Sequence, residues 1–288
     1  MSKLQFAVFE LEMDYAGHPY YISGNAILHA LSSQLSYDEQ RALRVSHGVF
    51  APGSGGVEPN FPSEAFKGYE FGIGSKVPDI GTYQDLFLLR RAHQPWLPSS
   101  KPRDALNTHD MKVQSQDNRP ILGRMEHITK QKKWYVHCYF HSPDESLIPI
   151  DEQLLDGLQL GGARNYGYGL TSLKDTKVVD LNDLDYSWIE DGDGHVLELV
   201  TPYVLTSEHP KTDDNDVPWW WDQSLKYRHR TEKIVEQGKF YELDTIDHGQ
   251  VTRYEGDRPV ETAKKGVQRL GTHSKYGFGE LMVRPTSN

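Results

Sequence analysis

The sequence LGTHSKYGFGEL occupies residues 270–281, close to the C-terminal end of the sequence. It contains three glycines, a lysine, a histidine and two aromatic residues. Glycine-rich loops that bind phosphate ordinarily open a helix. Only LMVRPTSN follows Glu280, which is too short for a helix and long enough for one strand. The pattern therefore predicts a glycine loop that leads into a final strand.

A second copy of this pattern occurs 110 residues earlier, as LGGARNYGYGL at 160–170. Both copies follow L-G-x-x-x-x-Y-G-aromatic-G, and five of eleven aligned positions are identical. We call residues 160–170 the first glycine loop and residues 270–280 the second glycine loop. A repeat with so long a period indicates duplicated domains and not a solenoid.

The sequence around the two loops is also similar in the two halves. Each loop follows a polar, helix-compatible stretch, PIDEQLLDGLQ or RPVETAKKGVQR, and precedes a strand-like run. Each half also begins with a strand-like segment, LQFAVFELEM at 4–13 and HVLELVTPYVLT at 195–206. These features predict an α+β fold with two tandem ferredoxin-like (RRM-like, βαββαβ) domains, each ending in a glycine-rich loop.

Composition shifts suggest where the domains begin and end. The first domain is predicted over 1–180 with a basic, proline-containing insertion near 90–133, and the second over 195–288 with a tryptophan-rich insertion near 208–230. The stretch 181–194 is rich in Asp and Gly, lacks Lys and Arg, and is interpreted as the linker. In the first half, Ser23 or Asn25 is expected to cap a helix whose apolar stripe is Ile27, Leu28, Leu31 and Leu35.

The composition of the 288-residue chain is that of a folded protein, with 37% hydrophobic residues and a single cysteine. No run of 18 apolar residues suggests a membrane span, and the N-terminal segment resembles a strand more than a signal peptide. Cys138 alone excludes an intramolecular disulfide and a multi-cysteine zinc site. We expect a cytoplasmic protein that does not contact a membrane.

The charge is unevenly distributed. The net charge of −10 argues against nucleic-acid binding, because phosphate attracts positive surface. Yet residues 90–133 contain ten basic and four acidic residues, so this segment carries +6 and the remainder −16. Residues 264–275 contain four basic residues and no acid. An acidic protein with such basic patches can bind RNA through them, although charge runs are also ordinary solvated surface.

The side chains between the glycines suit single-stranded RNA. Arg164 and Lys275 can contact phosphate, and aromatic residues in both loops offer stacking faces. Successive N–H groups in glycine-rich turns can also bind anions. The alternative is that both loops are only tight turns between helix and strand.

These motifs resemble the RAMP superfamily of CRISPR-associated proteins. The segment YEGDRPVETAKKGVQRLGTHSKYGFGELMV resembles its C-terminal module, YYISGNAILHAL its first-helix entry, and VLELVTPYVL the first strand of a second domain. Because both halves carry the loop, the resemblance is strongest to group-five Cas proteins. It implies a CRISPR RNA-binding subunit that grips the 5′ handle of the guide in an effector ribonucleoprotein, with backbone RAMP subunits as partners. The implied RNA-binding residues are Ser23, Asn25, Gly161, Gly162, Arg164, Asn165, Tyr166, Gly167, Tyr168, Gly169, Gly271, Thr272, His273, Ser274, Lys275, Tyr276, Gly277 and Gly279.

A second resemblance, to group-six Cas proteins, implies a metal-independent endoribonuclease that processes CRISPR repeat RNA. In that case His29 on the first helix is the candidate general base, and Lys275 is the candidate for stabilising the phosphate. A lone histidine beside an apolar stripe is more often structural, so we expect binding and not catalysis. Outside this superfamily, a generic RRM-like RNA-binding module or a structural assembly subunit remains open.

Other sites are not indicated by the sequence. His137 and His141 have a spacing that suits zinc on a helix, but KKWYVHCYF predicts a strand, where they would lie about 13 Å apart. Phosphate-binding P-loop, serine-hydrolase and zinc-protease motifs do not occur. We therefore expect neither a metal nor a cofactor. The three tryptophans Trp219–Trp221 could stack on a base, fill a pocket of another subunit, or cover the domain's own core.

Overall fold

The computed structural model describes residues 2–12, 15, 21–52, 75–90, 134–162, 164–192, 194–210, 220–222, 226–236 and 238–286. The basic insertion near 90–133 lies outside the described residues except for Arg90. Most of the tryptophan-rich insertion, including Trp219, lies outside them as well.

The elements alternate between strands and short helices. The first half contains β1 (Lys3–Leu11), β2 (Tyr21–Ile22), α1 (Gly24–Leu31), α2 (Tyr37–Ala42), β3 (Arg44–Val45), β4 (Gly48–Pro52), β5 (Trp134–His141), α3 (Glu152–Leu155) and β6 (Thr171–Asp180). After it come α4 (Ser187–Glu190), β7 (His195–Leu199), β8 (Tyr203–Ser207), β9 (His229–Glu236), β10 (Lys239–Ile246), β11 (Val251–Tyr254), α5 (Pro259–Val267) and β12 (Leu281–Pro285). Short 3-10 turns lie at Tyr83–Phe87, Glu145–Leu147, Arg164–Tyr166 and Ser274–Tyr276.

The first half forms an antiparallel sheet with the strand order β2-β4-β5-β1-β6, and β3 also pairs with β5. The four longer strands, numbered as they occur along the chain, therefore follow the order 2-3-1-4. Helix α1 lies between the first and second of them, and α3 lies between the third and fourth. Two interleaved crossovers of this kind define a ferredoxin-like unit.

The second half repeats this order with broken central strands. Its two sheets have the orders β8-β10-β9 and β11-β7-β12. Strands β7 and β8 are separated only by residues 200–202, and β10 and β11 only by residues 247–250. Joining each pair into one long strand gives 2-3-1-4 again. The structure thus confirms the predicted α+β fold with two tandem ferredoxin-like units, although the described residues between β8 and β9 contain no helix.

Strand β1 is buried on both faces, which explains why LQFAVFEL is almost continuously apolar. Ala7 and Phe9 belong to a core with α1, whereas Leu4 and Phe6 belong to a second core with β7, α5 and β12. The first core also includes Val204 and further side chains of the second half. Because both cores draw on both halves, burial of apolar surface stabilises the association of the halves as well as each half.

The helix α1 and the strand β5 lie where the sequence predicts them. Ser23 is the N-cap of α1, since its side chain accepts a hydrogen bond from Ala26 N at 3.2 Å. The helix ends at Leu31, so Leu35 lies beyond it. His137 and His141 lie on β5, as the strand interpretation requires.

The tryptophan pair and the segment between the halves are packed against the protein. Trp221 is buried in the second core, and Trp220 packs edge-on against Tyr203 with ring centroids 5.2 Å apart. Of the three arrangements suggested for the tryptophans, these two rings adopt the one in which they cover the domain's own core. The segment predicted as a linker includes α4 and buries Ile189 completely, and the domain boundaries themselves stay predictions.

No helix in the described part of the chain combines the length and apolar character that crossing a membrane requires.

Candidate RNA-binding loops

The two glycine loops have closely matching backbone conformations at their described residues. A 3-10 turn occupies aligned positions, Arg164–Tyr166 in one and Ser274–Tyr276 in the other. Three glycines of each loop have positive φ angles, and the aligned values are 89° and 92° at Gly161 and Gly271, 84° and 98° at Gly167 and Gly277, and 74° and 78° at Gly169 and Gly279. The sequence repeat is therefore also a structural repeat.

Each loop is closed by the same hydrogen bond. Leu160 N donates to Gly169 O at 2.8 Å, and Leu270 N donates to Gly279 O at 2.9 Å. A Cβ atom on Gly169 would lie 1.9 Å from Leu160 O, and one on Gly279 would lie 1.9 Å from Leu270 O. Only glycine combines this close approach with a positive φ. The last glycine of the motif is thus required by the loop's own geometry.

The first glycine loop is exposed. Arg164 and Asn165 project into solvent, and Tyr166 is 83% exposed. Gly167 and Tyr168 are half-buried, and Gly169 is buried. Gly162 is exposed and Gly161 half-buried. A cation, an amide and an aromatic ring thus lie side by side on a turn that the hydrogen bond between Leu160 N and Gly169 O closes.

The second glycine loop packs against the first half of the chain. The His47 ring lies edge-on to Phe278 at 4.8 Å between centroids, and stacks on Tyr21 at 4.5 Å. Gly24 N donates to His47 Nδ1 at 3.0 Å. A Cβ atom on Gly24 would lie 2.5 Å from Tyr276 O. The second glycine loop and the start of α1 therefore pack together where the two halves meet, and we call this contact the seam.

Burial perturbs the titratable groups of the second glycine loop. It raises the pKa of Tyr276 to about 12 and lowers the pKa of His273. His273 is almost fully buried, and its Nε2 lies 3.2 Å from His209 O. Of the polar residues predicted to contact RNA here, Thr272 is exposed, Lys275 half-buried and Ser274 buried.

The Glu236 carboxylate lies beside His29 and influences Lys275. His29 Nε2 lies 3.5 Å from Glu236 Oε2. Burial lowers the pKa of Lys275, Glu236 opposes this effect, and the nearby charges of Arg44 and Arg41 add to it. Glu236 thus contacts His29 and acts electrostatically on Lys275, the two residues that the sequence suggests for catalysis.

His29 also holds the edge of strand β9 together with Asn25. Val235 N donates to Asn25 Oδ1 at 3.3 Å, and His29 Nε2 lies 3.0 Å from Val235 O. The two side chains are four residues apart on α1, so they lie one above the other on one helix face. Together they satisfy both backbone groups of Val235, which would otherwise be open on an edge strand. In this arrangement Asn25 and His29 connect the halves, and His29 Nε2 is occupied as a donor.

The buried charges around the second glycine loop were not anticipated from the sequence. Arg90 lies within the basic run, but its guanidinium is buried and ion-paired with Glu280, and its Nη1 donates to His47 O at 3.0 Å. Burial alone would lower the pKa of Arg90, but Glu280 raises it overall. Arg269 and Arg44 also approach Ser274. Charge counting alone does not distinguish such residues from surface cations.

Comparisons with protein-family models and with curated proteins found no match. Among solved structures, the chain is similar to a CRISPR-associated Cas6 protein with a TM-score of 0.42 and 10% identity, covering all of both chains. It is also similar to the protein of a Cas6 product complex with a TM-score of 0.37 and 10% identity, covering 98% of this chain and 100% of the other. At these scores the fold rests on the strand order described above, and the likeness says nothing about activity.

Proposed function

We propose that this chain binds CRISPR RNA as a subunit of an effector ribonucleoprotein, with the first glycine loop contacting the 5′ handle of the guide. The observation that carries the proposal is the exposure of Arg164, Asn165 and Tyr166 on a turn fixed by positive-φ glycines. The RAMP-like motifs of the sequence suggest CRISPR RNA in particular. The basic insertion near 90–133 is proposed to extend the contact along the RNA or to a neighbouring subunit.

The chemistry of the first glycine loop suits an unpaired RNA segment. A guanidinium can form two parallel hydrogen bonds to a phosphate, and an exposed tyrosine ring can stack on a splayed base. Asn165 can hydrogen-bond to a base edge or to a 2′-hydroxyl. Because the whole chain is acidic, binding must depend on such local contacts, and we expect it to be strongly salt-dependent.

A second candidate function is metal-independent cleavage of repeat RNA. The contact between His29 and Glu236, whose charge also acts on Lys275, favours it, because this chemistry needs a base and a cation in one region. Against it stands the contact between His29 Nε2 and Val235 O, which would have to break before that nitrogen could accept a proton. Binding without cleavage is therefore our first choice.

One experiment tests both candidates. Purified protein is mixed in EDTA with labelled repeat–spacer RNA or with RNA that already begins at the 5′ handle, and binding and cleavage are followed on native and denaturing gels. We expect binding to both, tighter binding to the handle RNA, and no cut. A single cut in the repeat that is lost in His29→Ala would establish the nuclease instead.

The role of the first glycine loop is tested by Arg164→Ala, with Arg258→Ala as the matched control. Arg258 is also exposed, and it pairs with Glu261 at the start of α5. Losing one phosphate contact to single-stranded RNA should reduce the slope of log affinity against log salt by about 0.7. We expect this only for Arg164→Ala. If both variants bind as the wild type does, the first glycine loop is not part of the RNA site.

A further inference from the structure

Arg269 is a buried cation whose hydrogen-bonding capacity is only partly used. Its residue is 5% exposed, and its Nε donates to Ser274 O at 2.8 Å. Its guanidinium carbon lies 5.0 Å from the centroid of the Tyr139 ring. Neither Nη1 nor Nη2 has a hydrogen-bond acceptor in the described part of the chain. Buried polar groups normally have partners, so these two nitrogens require an explanation.

The neighbouring carboxylate balances only part of this charge. Glu280 is the buried acid nearby, and it already accepts from Arg90 Nε at 3.0 Å and from Arg90 Nη2 at 2.5 Å. Arg90 also lies over the Tyr139 ring, with its guanidinium carbon 4.7 Å from the centroid. Two buried guanidinium groups thus share one carboxylate. Burying a charge without a counter-charge is costly, which makes the place attractive to an anion.

Further cations surround the same point. Arg44 Nη1 donates to the Ser274 hydroxyl at 3.4 Å, so two arginines contact the two oxygens of one residue. Lys275 follows directly and is half-buried, and the Glu236 carboxylate offsets part of its charge. His141 pairs with Arg44 across β3 and β5 and is buried, and its pKa is held well below the ordinary value by burial and by both arginines. A neutral His141 leaves the positive charge to the arginines and the lysine.

We infer that Arg44, Arg269 and Lys275 form a binding site for a phosphate group around Ser274. The guanidinium fork matches phosphate oxygens in pairs, and Lys275 adds a point charge. The hydrogen bond from Arg44 Nη1 to the Ser274 hydroxyl is long, at 3.4 Å, so Arg44 loses little when it turns to a phosphate oxygen instead. The phosphate is either free or part of an RNA backbone, and in the second case the inference rests on the proposed function.

The variant Arg44→Gln tests the site, because Arg44 is half-buried and its replacement leaves the core intact. Arg258→Gln is the exposed control. Melting temperatures are compared in inorganic phosphate and in chloride at equal ionic strength. We expect phosphate to raise the melting temperature of the wild type and of Arg258→Gln by more than that of Arg44→Gln, in which only the general stabilising effect of this anion remains. An equal rise in all three proteins would overturn the site. Arg269→Met should also lose the response, and if it fails to fold, Arg44→Gln decides.

A second arm uses a labelled single-stranded oligouridylate and fluorescence anisotropy. Arg44→Gln should weaken binding about tenfold and reduce the salt slope by about 0.7, whereas Arg258→Gln should not. If the wild type responds to phosphate but not to the oligonucleotide, the site holds free phosphate and RNA binding fails. If the wild type binds the oligonucleotide but Arg44→Gln changes neither response, the site is wrong and the proposed function stands.

Discussion

The two glycine loops share a backbone but differ in what they contact. The first presents Arg164, Asn165 and an 83% exposed Tyr166 to solvent. The second directs the corresponding tyrosine, Tyr276, into the core that contains α1. The motif therefore determines the shape of the turn, whereas the residues around each turn determine whether it is exposed or packed.

The difference arises from how the halves pack together. In the second glycine loop, Gly277 lies against His47, and a Cβ atom there would be 2.3 Å from His47 Nδ1. At the aligned Gly167, a Cβ atom would meet nothing within 4 Å among the described residues. One copy of the motif thus packs between the halves, while the other stays exposed on the surface.

The largest difference should appear when the aligned tyrosines are truncated. Tyr276→Ala removes a ring from the first core and should lower the free energy of unfolding by about 4 kcal/mol. Tyr166→Ala removes an exposed ring and should change it by less than about 0.5 kcal/mol. Urea unfolding of both variants measures the difference. Similar losses would mean that the first glycine loop is covered in solution as well.

The aligned glycines should show a smaller contrast. Gly167→Ala places a side chain at a φ of 84° in open space and should cost about 1 kcal/mol from backbone strain alone. Gly277→Ala adds a clash with His47 to similar strain and should cost roughly 3 kcal/mol. Chemical denaturation of the pair gives both values. Equal costs would show that His47 moves aside freely and that the seam is loosely packed.

Much of the fold could be predicted because the relevant signals are local. The L-G-x-x-x-x-Y-G-aromatic-G repeat encodes a turn whose glycines adopt positive φ, so it predicts both loops and the duplication. Alternation and apolar runs placed β1, β5 and β12. The single strand predicted over 195–206 is in fact β7 and β8, interrupted at residues 200–202, where Val200 N and Thr201 N both donate to Glu280 O.

The arrangement of the site could not be predicted, because it depends on contacts between distant parts of the chain. The sequence treats the two loops alike, and only the approach of His47 and Gly24 makes one of them interior. The sequence allows His29 to be a base or a structural residue, but its contact with Val235 depends on where β9 lies, which the sequence does not show. In the sequence Arg269 is one of four basic residues in 264–275, and no local pattern indicates that it is buried beside Tyr139.

The smallest expected contrast concerns pH, because the second glycine loop contains a buried histidine and the first contains none. Burial lowers the pKa of His273 in the folded chain, while the unfolded chain keeps the ordinary value of about 6.5. Above that pH both states are neutral and the full stability is present. As the pH falls below it, the unfolded state takes up a proton that the folded state resists, so stability declines.

The variant His273→Gln isolates this contribution while keeping a side-chain N–H that can reach His209 O. Its unfolding free energy should fall less steeply between pH 7 and pH 5.5, by up to about 1.4 kcal/mol per pH unit, the limit for one proton. His141, also buried with a lowered pKa, is present in both proteins and leaves a common slope. Urea titrations at several pH values measure the two slopes. Parallel curves would mean that His273 takes up a proton in the folded state, so that the second glycine loop opens to solvent and resembles the first more than its packing indicates.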